Sequence, residues 1–429
     1  MIKTFVSVTL GCKVNAYEAD SLTNELISAG YLPASGDDQV GVALINTCSV
    51  TSSADAKSRQ QIRKLAKMYP DAILVVMGCY SQINLELATT IPEISIVVGT
   101  SNRTKILAYI DEYQRTKKQI IAVNHESRTF SYEELKATSV TKHARAYLKI
   151  QDGCDQFCTF CIIPLTRGKL RSRAPGDVIK EAKALVEKGY KEIVLTGIHT
   201  GAYGVDLKDT SFTDIVKLIL DACPTLYKLR ISSIEENEID DDLLALMRKD
   251  DRLAKHLHIP LQAGSDAILR RMNRHYNTAQ FLEKVSKIRA IVGDVAITTD
   301  VIVGFPGETD ALFQETVDFI KKVNFAELHV FPYSVRSRTP AAGFKDQVDA
   351  MIKKERVATL IDVSMALKKA YSHQYKGQRL SCLIESREEG TNLYCGHTSN
   401  YLDVKVESEV DLTHHVIDVV YEPELSKKI

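Results

Sequence analysis

Three cysteines fall within eight residues at Cys154-Asp155-Gln156-Phe157-Cys158-Thr159-Phe160-Cys161, a C-x3-C-x2-C set. Thiolates at this spacing can hold three corners of a cubane iron–sulfur cluster and leave the fourth iron open. An open iron can take an exogenous chelate, much as a catalytic zinc site keeps one position for substrate. A structural zinc knuckle would need a fourth Cys or His close by. None lies within the motif, and Cys223 falls far outside it. Three further cysteines each end an apolar run: Phe5 to Cys12, Val42 to Cys48 and Ile73 to Cys79. One such cysteine alone is more often a small buried hydrophobe. The repeated order of strand, Gly or Thr, then Cys marks Cys12, Cys48 and Cys79 as a second ligand trio, again one thiolate short of four.

The elements that must position these residues follow from the apolar pattern. The runs before Cys12, Cys48 and Cys79 suit strands of a parallel sheet covered on both faces. Helix-like stretches follow, Tyr17 to Gly30 and Asp55 to Tyr69. Ligands of open α/β sheets gather outside the carboxyl ends of the strands, so the topology can unite the trio. A polar stretch from Glu112 to Thr141 reads as a linker. Strand candidates then alternate with helices: 147–150, 192–195, 228–231, 256–259, 296–303 and 327–331. Six βα units fit a partial (β/α)6 barrel with its chemistry at the carboxyl-terminal rim and an open side for a large substrate. Residues 346–375 read as a helix with Val348, Met351, Ile352, Leu360, Ile361 and Leu367 on its apolar face. Residues 379–422 read as a small all-β domain. The expected fold is α/β: a Rossmann-like parallel-sheet domain (1–115), the partial TIM-type barrel (140–370) and a C-terminal all-β barrel (373–429).

Bulk properties set limits on function. Lys plus Arg equals Asp plus Glu, 55 against 55, so only local basic patches can argue for a nucleic-acid partner. An odd number of cysteines, nine, in a long chain without a secretory leader favours metal or redox chemistry over a disulfide framework. No apolar run is long enough for a membrane span. A cytoplasmic location is the default expectation.

The C-x3-C-x2-C spacing, Phe160 before the last cysteine and the six βα units resemble the radical S-adenosylmethionine superfamily. With the second trio, the chain resembles the methylthiotransferase family over its whole length. The resemblance implies two [4Fe-4S] clusters, one on each trio, and S-adenosylmethionine chelated at the open iron of the Cys154–Cys158–Cys161 cluster. Reduction of that cofactor yields a 5′-deoxyadenosyl radical. Leu10-Gly11-Cys12-Lys13-Val14-Asn15, Asn46-Thr47-Cys48-Ser49-Val50-Thr51 and Gln151-Asp152-Gly153-Cys154 resemble the branch acting on N6-threonylcarbamoyladenosine beside the transfer RNA anticodon. The implied reaction is methylthiolation at C2 of that base. Its C–H is neither acidic nor electrophilic, and the roughly 10²–10⁴-fold help of general acid–base catalysis is too small for it. The C-terminal domain resembles the small RNA-binding (TRAM-like) barrel appended to these enzymes. Here residues 376–429 carry six Lys/Arg against ten Asp/Glu, a poor balance for backbone phosphates.

The resemblance also implies cofactor contacts from Phe160, Thr196 and Gly197 after the second strand, Ser232 after the third, Gln262 after the fourth, and Ile302 and Gly304 at the fifth. A glycine at a βα turn is first of all a turn residue. Three basic groups are candidates for RNA: Lys57, Arg59, Arg63, Lys64 and Lys67; Arg167, Lys169, Arg171 and Arg173; and Arg271, Arg274 and Tyr276 with Arg270. A solvated face is the common meaning of such runs. The second group, beside the cluster cysteines, is favoured for phosphate contact. His256 and His258 are expected to face opposite ways, one into the core and one out. Cys223, Cys382 and Cys395 are expected to bind no cluster. The partners implied are transfer RNA at its anticodon stem-loop, an outside reductant and a sulfur donor, with the chain acting as a monomer. Other readings change the substrate, to isopentenyladenosine or a ribosomal-protein aspartate, or the class, to a metal-stabilised RNA-binding protein or an electron-transfer ferredoxin module.

Overall fold

The computed structural model describes residues 2–36, 38–84, 86–126, 130–136 and 144–429. The chain divides into two compact units. The first comprises Met1–Ser139, Tyr147–Arg173 and Ser334–Thr339; the second comprises Ala174–Tyr333 and Pro340–Ile429, with a short piece ending at Ala146.

The first unit opens with β1 (Thr4–Thr9), α1 (Lys13–Ser28), β2 (Leu32–Pro33), β3 (Val42–Thr47), α2 (Ser52–Met68) and β4 (Ile73–Gly78). It continues with α3 (Cys79–Ile83), α4 (Leu87–Thr90), β5 (Ile96–Val98), α5 (Ile106–Thr116) and β6 (Ile120–Ala122). The sheet is parallel throughout, in the order β2-β1-β3-β4-β5-β6. Every residue of β3 and β4 is buried, as a strand covered on both faces requires. One face packs Phe5, Leu44, Val75 and Ile96 on Leu22 and Ile110; the other packs Ala43, Ile45 and Val76 on Ile62 and Leu87. The chain leaves β1 towards β2 on one side and continues with β3 on the other. The carboxyl ends of β1 and β3 therefore flank the topological switch point, where such sheets bind ligands.

The stretch read as a linker is tied to this unit where it is described. It contains the end of α5 and all of β6. Leu135 packs on Tyr17, Glu133 pairs with Arg103, and Glu134 pairs with Arg173. Residues 127–129 and 137–143 lie outside the described residues. Then come β7 (Arg145–Lys149), β8 (Gln151–Asp152), α6 (Ile163–Arg167) and β9 (Arg171–Ser172). Strands β8 and β9 pair antiparallel and close the loop that carries Cys154, Cys158 and Cys161.

In the second unit helices alternate with parallel strands: α7 (Pro175–Glu187), β10 (Glu192–Thr196), α8 (Phe212–Ala222), β11 (Lys228–Ile231), α9 (Asp241–Lys249) and β12 (His256–His258). There follow α10 (Asp266–Arg271), α11 (Thr278–Val292), β13 (Ala296–Val303), α12 (Asp310–Val323) and β14 (Glu327–Pro332). β10 pairs with β11, and β13 lies between β12 and β14. Bridges Leu229–Leu253 and Ser233–His258 continue the curve between the two sets. Ser211 and Asn277 cap α8 and α11 in capping boxes, which fixes where each helix leaves its loop. All six strands read from the sequence are present, and the mixed α/β architecture with a partial barrel is the observed one.

Two local expectations fail. His256 and His258 do not face opposite ways: residues two apart on a strand share a face. Both rings bond the Thr298 hydroxyl, each at 2.9 Å. The long helix α13 (Ala350–His373) buries Arg356, Leu360 and Ser364, while Met351, Ile352 and Ile361 are exposed. Its inward stripe is an i, i+4 row in which Leu360 alone of the expected apolar residues is fully buried, beside the buried pair Arg356–Glu308 at 2.8 Å.

The C-terminal strands β15 (Arg379–Arg387), β16 (Leu393–Thr398), β17 (Asp403–Glu407), β18 (Val416–Val420) and β19 (Lys427–Lys428) form an antiparallel sheet in the order β17-β16-β15-β18-β19. This sheet docks on the barrel strands within the same unit. Arg230 on β11 pairs with Glu192 at 2.7 Å and donates to the Thr398 and Ser399 carbonyls at 3.1 Å each. Tyr401 stacks on His256 with centroids 4.3 Å apart. Glu192 and His256 open β10 and β12, so the small domain grips the end of the strands opposite the rim expected to do chemistry.

Candidate functional site

The sheet register of the first unit brings the first cysteine trio together. Thr9 pairs with Asn46, and Thr47 pairs with Gly78. Cys48 and Cys79 follow Thr47 and Gly78 directly, and Cys12 lies in the turn after β1. Cys48 and Cys79 are buried and Cys12 is exposed; all three are thiols. Gly11 has φ +99°, and a Cβ there would lie 2.8 Å from the Cys48 sulfur. The turn before Cys12 therefore needs glycine both for its backbone and for the close approach of a second ligand. Burial pushes the Cys48 thiol up to about 11, and Cys79 and Cys12 add to the shift. Buried thiols held up in this way are a poor resting group alone and a good one around a cation, which removes their protons on binding.

Under this trio lies a buried polar network. Asn15, one turn into α1, donates to the Leu10 and Thr47 carbonyls at 2.8 and 3.1 Å, tying the Cys12 turn to the end of β3. Its amide oxygen accepts from Arg167 Nη2 at 2.7 Å. Arg167 is fully buried, pairs with Glu18, and points Nε at the Cys79 sulfur from 3.4 Å. Glu18 also meets Arg103 and Lys149; Asp152 meets Lys149 at 2.6 Å and Arg171 at 3.2 Å. Burial raises the Glu18 and Asp152 carboxyls, but the surrounding cations outweigh it and hold both well below the carboxylate range. Burial pushes the Cys79 thiol up, and the Arg167 charge opposes it.

This arrangement corrects the expected phosphate contacts. Arg167 and Arg173 are 0% and 1% exposed and Arg171 is 8% exposed, so a nucleic-acid backbone has no access to them. Arg173 is paired with Glu134 at 3.0 Å. Only Lys169 of that group is exposed. In the second unit Arg274 is buried against Glu235, and the Tyr276 hydroxyl donates to the Leu261 carbonyl at 2.7 Å. Arg271 is exposed but is held by Asp346 at 2.8 Å and by the Pro306 carbonyl at 3.1 Å. The first basic group is the accessible one. Lys57, Arg59, Arg63, Lys64 and Lys67 all lie on exposed positions of α2. Among the described residues, Lys57, Arg63, Lys64 and Lys67 make no ion pair. The helix's lone acid, Asp55, is taken by Arg336 at 2.8 Å.

The second cysteine trio sits in the β8–β9 loop. Gly153 has φ +73°, and a Cβ there would meet the Lys169 carbonyl at 1.9 Å. Only glycine lets the loop's two legs close at its neck. The Cys154 amide donates to the Gly168 carbonyl at 3.1 Å, and the Cys161 amide to the Cys158 carbonyl at 3.0 Å. Gln151 donates to the Gly153 carbonyl at 2.6 Å and the Leu170 amide to Asp155 at 3.2 Å, so both legs are fastened. Phe157 takes a left-handed φ of 48° and Phe160 is half-buried beside Cys161. Such a loop can present three thiolates to one cluster and leave a fourth iron without a protein ligand.

In the second unit the expected cofactor contacts lie at strand carboxyl ends. Thr196 ends β10 and Gly197 follows it. Ser232 follows β11 and bonds Thr200 at 3.2 Å. Gln262, at φ 64°, exchanges backbone hydrogen bonds with β13 next to Ile302, at 2.9 and 2.8 Å. Gly304 follows β13 at φ 68° and donates to Glu308 at 2.6 Å. Asp300 and His329, which the sequence reading missed, join His258 on adjacent strands: His258 and His329 lie 3.3 and 3.4 Å from one Asp300 oxygen. Burial raises Asp300, but the two imidazoles outweigh it and hold it below the carboxylate range. These three atoms could coordinate one ion. Two imidazole-to-carboxylate hydrogen bonds account for the same spacing. The spacing of His258 from His256 was the available signal, since same-face histidines look for partners on the adjacent strand.

Residues 148–320 match the Radical SAM superfamily, and residues 4–99 match Uncharacterized protein family UPF0004. The chain is 45% identical to the threonylcarbamoyladenosine tRNA methylthiotransferase MtaB of Bacillus subtilis, over 96% of this chain and 92% of that one. It is 36% identical to the Aquifex aeolicus protein of the same name, over 93% and 95%. It is also 36% identical to the tRNA-2-methylthio-N(6)-dimethylallyladenosine synthase of Geobacillus kaustophilus, over 91% and 74%. Among solved structures, the radical S-adenosylmethionine methyltransferase TsrM of Kitasatospora setae shares the fold, with a TM-score of 0.59 at 13% identity over 80% of this chain and 77% of that one.

Proposed function

The chain belongs to the radical S-adenosylmethionine tRNA methylthiotransferase family, and on that premise we propose that it methylthiolates C2 of N6-threonylcarbamoyladenosine beside the transfer RNA anticodon. The carrying observation is the pair of separate thiol trios, one at the carboxyl ends of β1, β3 and β4 and one in the β8–β9 loop. Cys154, Cys158 and Cys161 would hold a [4Fe-4S] cluster, which with S-adenosylmethionine would supply a carbon radical able to take the C2 hydrogen. The second cluster, on Cys12, Cys48 and Cys79, is the part of the reading that goes beyond the superfamily. The donor set supports it, since two buried thiols and one exposed thiol stand at adjacent strand ends, a cationic guanidinium donates to one of them, and no fourth protein sulfur joins them among the described residues. The protein's task is then to orient and shield: Thr196, Gly197, Ser232, Gln262, Ile302 and Gly304 are proposed to hold the cofactor, and Phe160 to cover it. The reductant and sulfur donor come from outside the chain. No described helix is long and apolar enough to cross a membrane. A cytoplasmic location fits a transfer RNA substrate.

Nucleoside analysis of transfer RNA from a deletion strain tests the substrate. The methylthio form of threonylcarbamoyladenosine is expected to vanish, with its unmodified parent accumulating. Wild type restores it and Cys48→Ala does not. Loss of the methylthio mark from isopentenyladenosine instead would move the chain to the branch of its 36%-identical relatives.

The RNA backbone is proposed to lie on α2, the accessible basic surface, rather than on Arg167, Arg171 or Arg173. Phosphate contacts position a nucleic acid and release counterions. Replacing Lys57, Arg63 and Lys64 together by Ala is expected to weaken binding of an anticodon stem-loop and to lower the salt slope by roughly one for each phosphate no longer neutralised. Fluorescence anisotropy at several salt concentrations measures both. An unchanged slope would remove α2 from the interface.

A further inference from the structure

Arg167 stands six residues after Cys161, at the end of the helix that follows the radical-cluster loop, yet its side chain ends at a cysteine of the other trio. Its Nε donates to the Cys79 sulfur at 3.4 Å. Its Nη2 donates to Asn15 Oδ1 at 2.7 Å and Glu18 Oε2 at 3.1 Å, and its Nη1 meets Glu18 and lies 3.4 Å from Asp152. We propose that Arg167 is a positioning residue that sets the reduction potential of the auxiliary cluster by holding a cationic hydrogen-bond donor against the Cys79 ligand sulfur. The proposal rests on the reading of Cys12, Cys48 and Cys79 as cluster ligands.

Charge balance supports it. The buried network joins four cations, Arg103, Lys149, Arg167 and Arg171, to three carboxylates, Glu18, Asp152 and Glu133. A buried charge left uncompensated is strongly destabilising. Among the described residues these cations outnumber the carboxylates by one, and Arg167 is the member that reaches Cys79, where a ligating thiolate would offset the difference. Stereochemistry supports it too. The guanidinium is planar and its fork is rigid. Asn15 and Glu18 hold two of its nitrogens, so the third is aimed and does not drift. Asn15 itself fastens the Cys12 turn to the end of β3, so the same side chain registers Arg167 to two ligand-bearing segments.

The consequence is electronic. Hydrogen bonds to cluster sulfurs and local net charge are the protein's levers on an iron–sulfur potential. Such outer partners also fix the ligands they touch. A cationic donor on a ligand sulfur draws charge from the cluster and favours its reduced, more negative state. Removing it makes the auxiliary cluster harder to reduce. The loop cluster, whose cysteines Arg167 does not touch by any contact seen among the described residues, keeps its potential.

Redox titration of the reconstituted holoenzyme, followed by electron paramagnetic resonance, tests this. The loop cluster is identified by the response of its signal to added S-adenosylmethionine. Arg167→Lys keeps the charge and loses the rigid fork. Arg167→Gln combined with Glu18→Gln removes one charge of each sign, so the network keeps its balance and the fold is given a second chance. The double variant is expected to reduce its auxiliary cluster about tenfold less favourably, about 59 mV lower for a one-electron couple. Arg167→Lys is expected to fall between it and wild type, with the loop cluster unmoved in both. An auxiliary potential unchanged at full iron content would overturn the proposal, and so would an equal shift of both clusters. Loss of auxiliary iron from a folded Arg167→Lys would show that Arg167 serves to retain the cluster rather than to set its potential, and would overturn it as well. Wild-type protein with iron for one cluster alone would instead sink the auxiliary-cluster reading on which the proposal stands.

Discussion

Replacing Cys79 by Ala is expected to remove about half of the iron and acid-labile sulfide of the anaerobically reconstituted protein, because losing a ligand empties its own site. Cys79 sits at the start of α3, 4% exposed, with Arg167 on one side and the end of β3 on the other. No described side chain near it offers a substitute thiolate. The neck of the β8–β9 loop is fastened by its own hydrogen bonds, none of which involves Cys79, although Arg167 farther along the loop donates to that sulfur. The variant should therefore still cleave S-adenosylmethionine to 5′-deoxyadenosine on reduction, while methylthio transfer to RNA is lost. Cys161→Ala is the mirror image: about half of the iron is lost, and cleavage goes with it. Iron and sulfide counts together with 5′-deoxyadenosine yield separate the two. If Cys79→Ala keeps all its iron, the trio at the strand ends holds no cluster.

The second large effect concerns stability. Glu18→Ala removes the carboxylate shared by Arg103, Lys149 and Arg167, all at most 1% exposed. Breaking a buried pair by deleting one partner costs about 3–5 kcal/mol, because the other charge stays buried without compensation. For a unit of this size that corresponds to a fall of roughly 10 °C in the thermal midpoint. The pH dependence has a definite sign. Glu18 and Asp152 have folded values below their unfolded ones. Their stabilisation is complete above the ordinary carboxylate range, near pH 4. It is lost as the pH falls below that, towards the folded values. The gap between wild type and Glu18→Ala should be full at neutral pH and narrow progressively below about pH 4. Calorimetry across that range measures it. A gap that stays constant to low pH would mean that the network's charge is not what stabilises the fold.

Much of the site was legible because its signals are local. C-x3-C-x2-C is a ligand spacing, and three strand-then-Cys repeats name a sheet edge before any contact is known. The six barrel strands were equally plain, since buried parallel strands read as continuous apolar runs. Arg167 was misread for a reason that sequence cannot supply. A basic run shows how many cations a segment carries, not which wall of the loop each one enters. Here the run's partners are Glu18, 149 positions away, and Cys79, 88 positions away. Asn15 and Glu18 stand on the same face of α1 as the Cys12 turn, but nothing local says that a buried carboxylate there has three cations waiting. The exposed lysines of α2 looked like any solvated helix until their lack of partners was visible.

From its sequence alone the chain determines which cysteines are candidate sulfur ligands, how they group into two trios and which elements carry them, because ligand spacing and apolar period are properties of short segments. Tertiary structure alone decides which cations are walled in and which face water. That choice is fixed by the strand register and by the loop that folds Asp152, Arg167 and Arg171 back under α1, and a charge in a low-dielectric interior takes its role from whatever opposite charge the fold brings within reach.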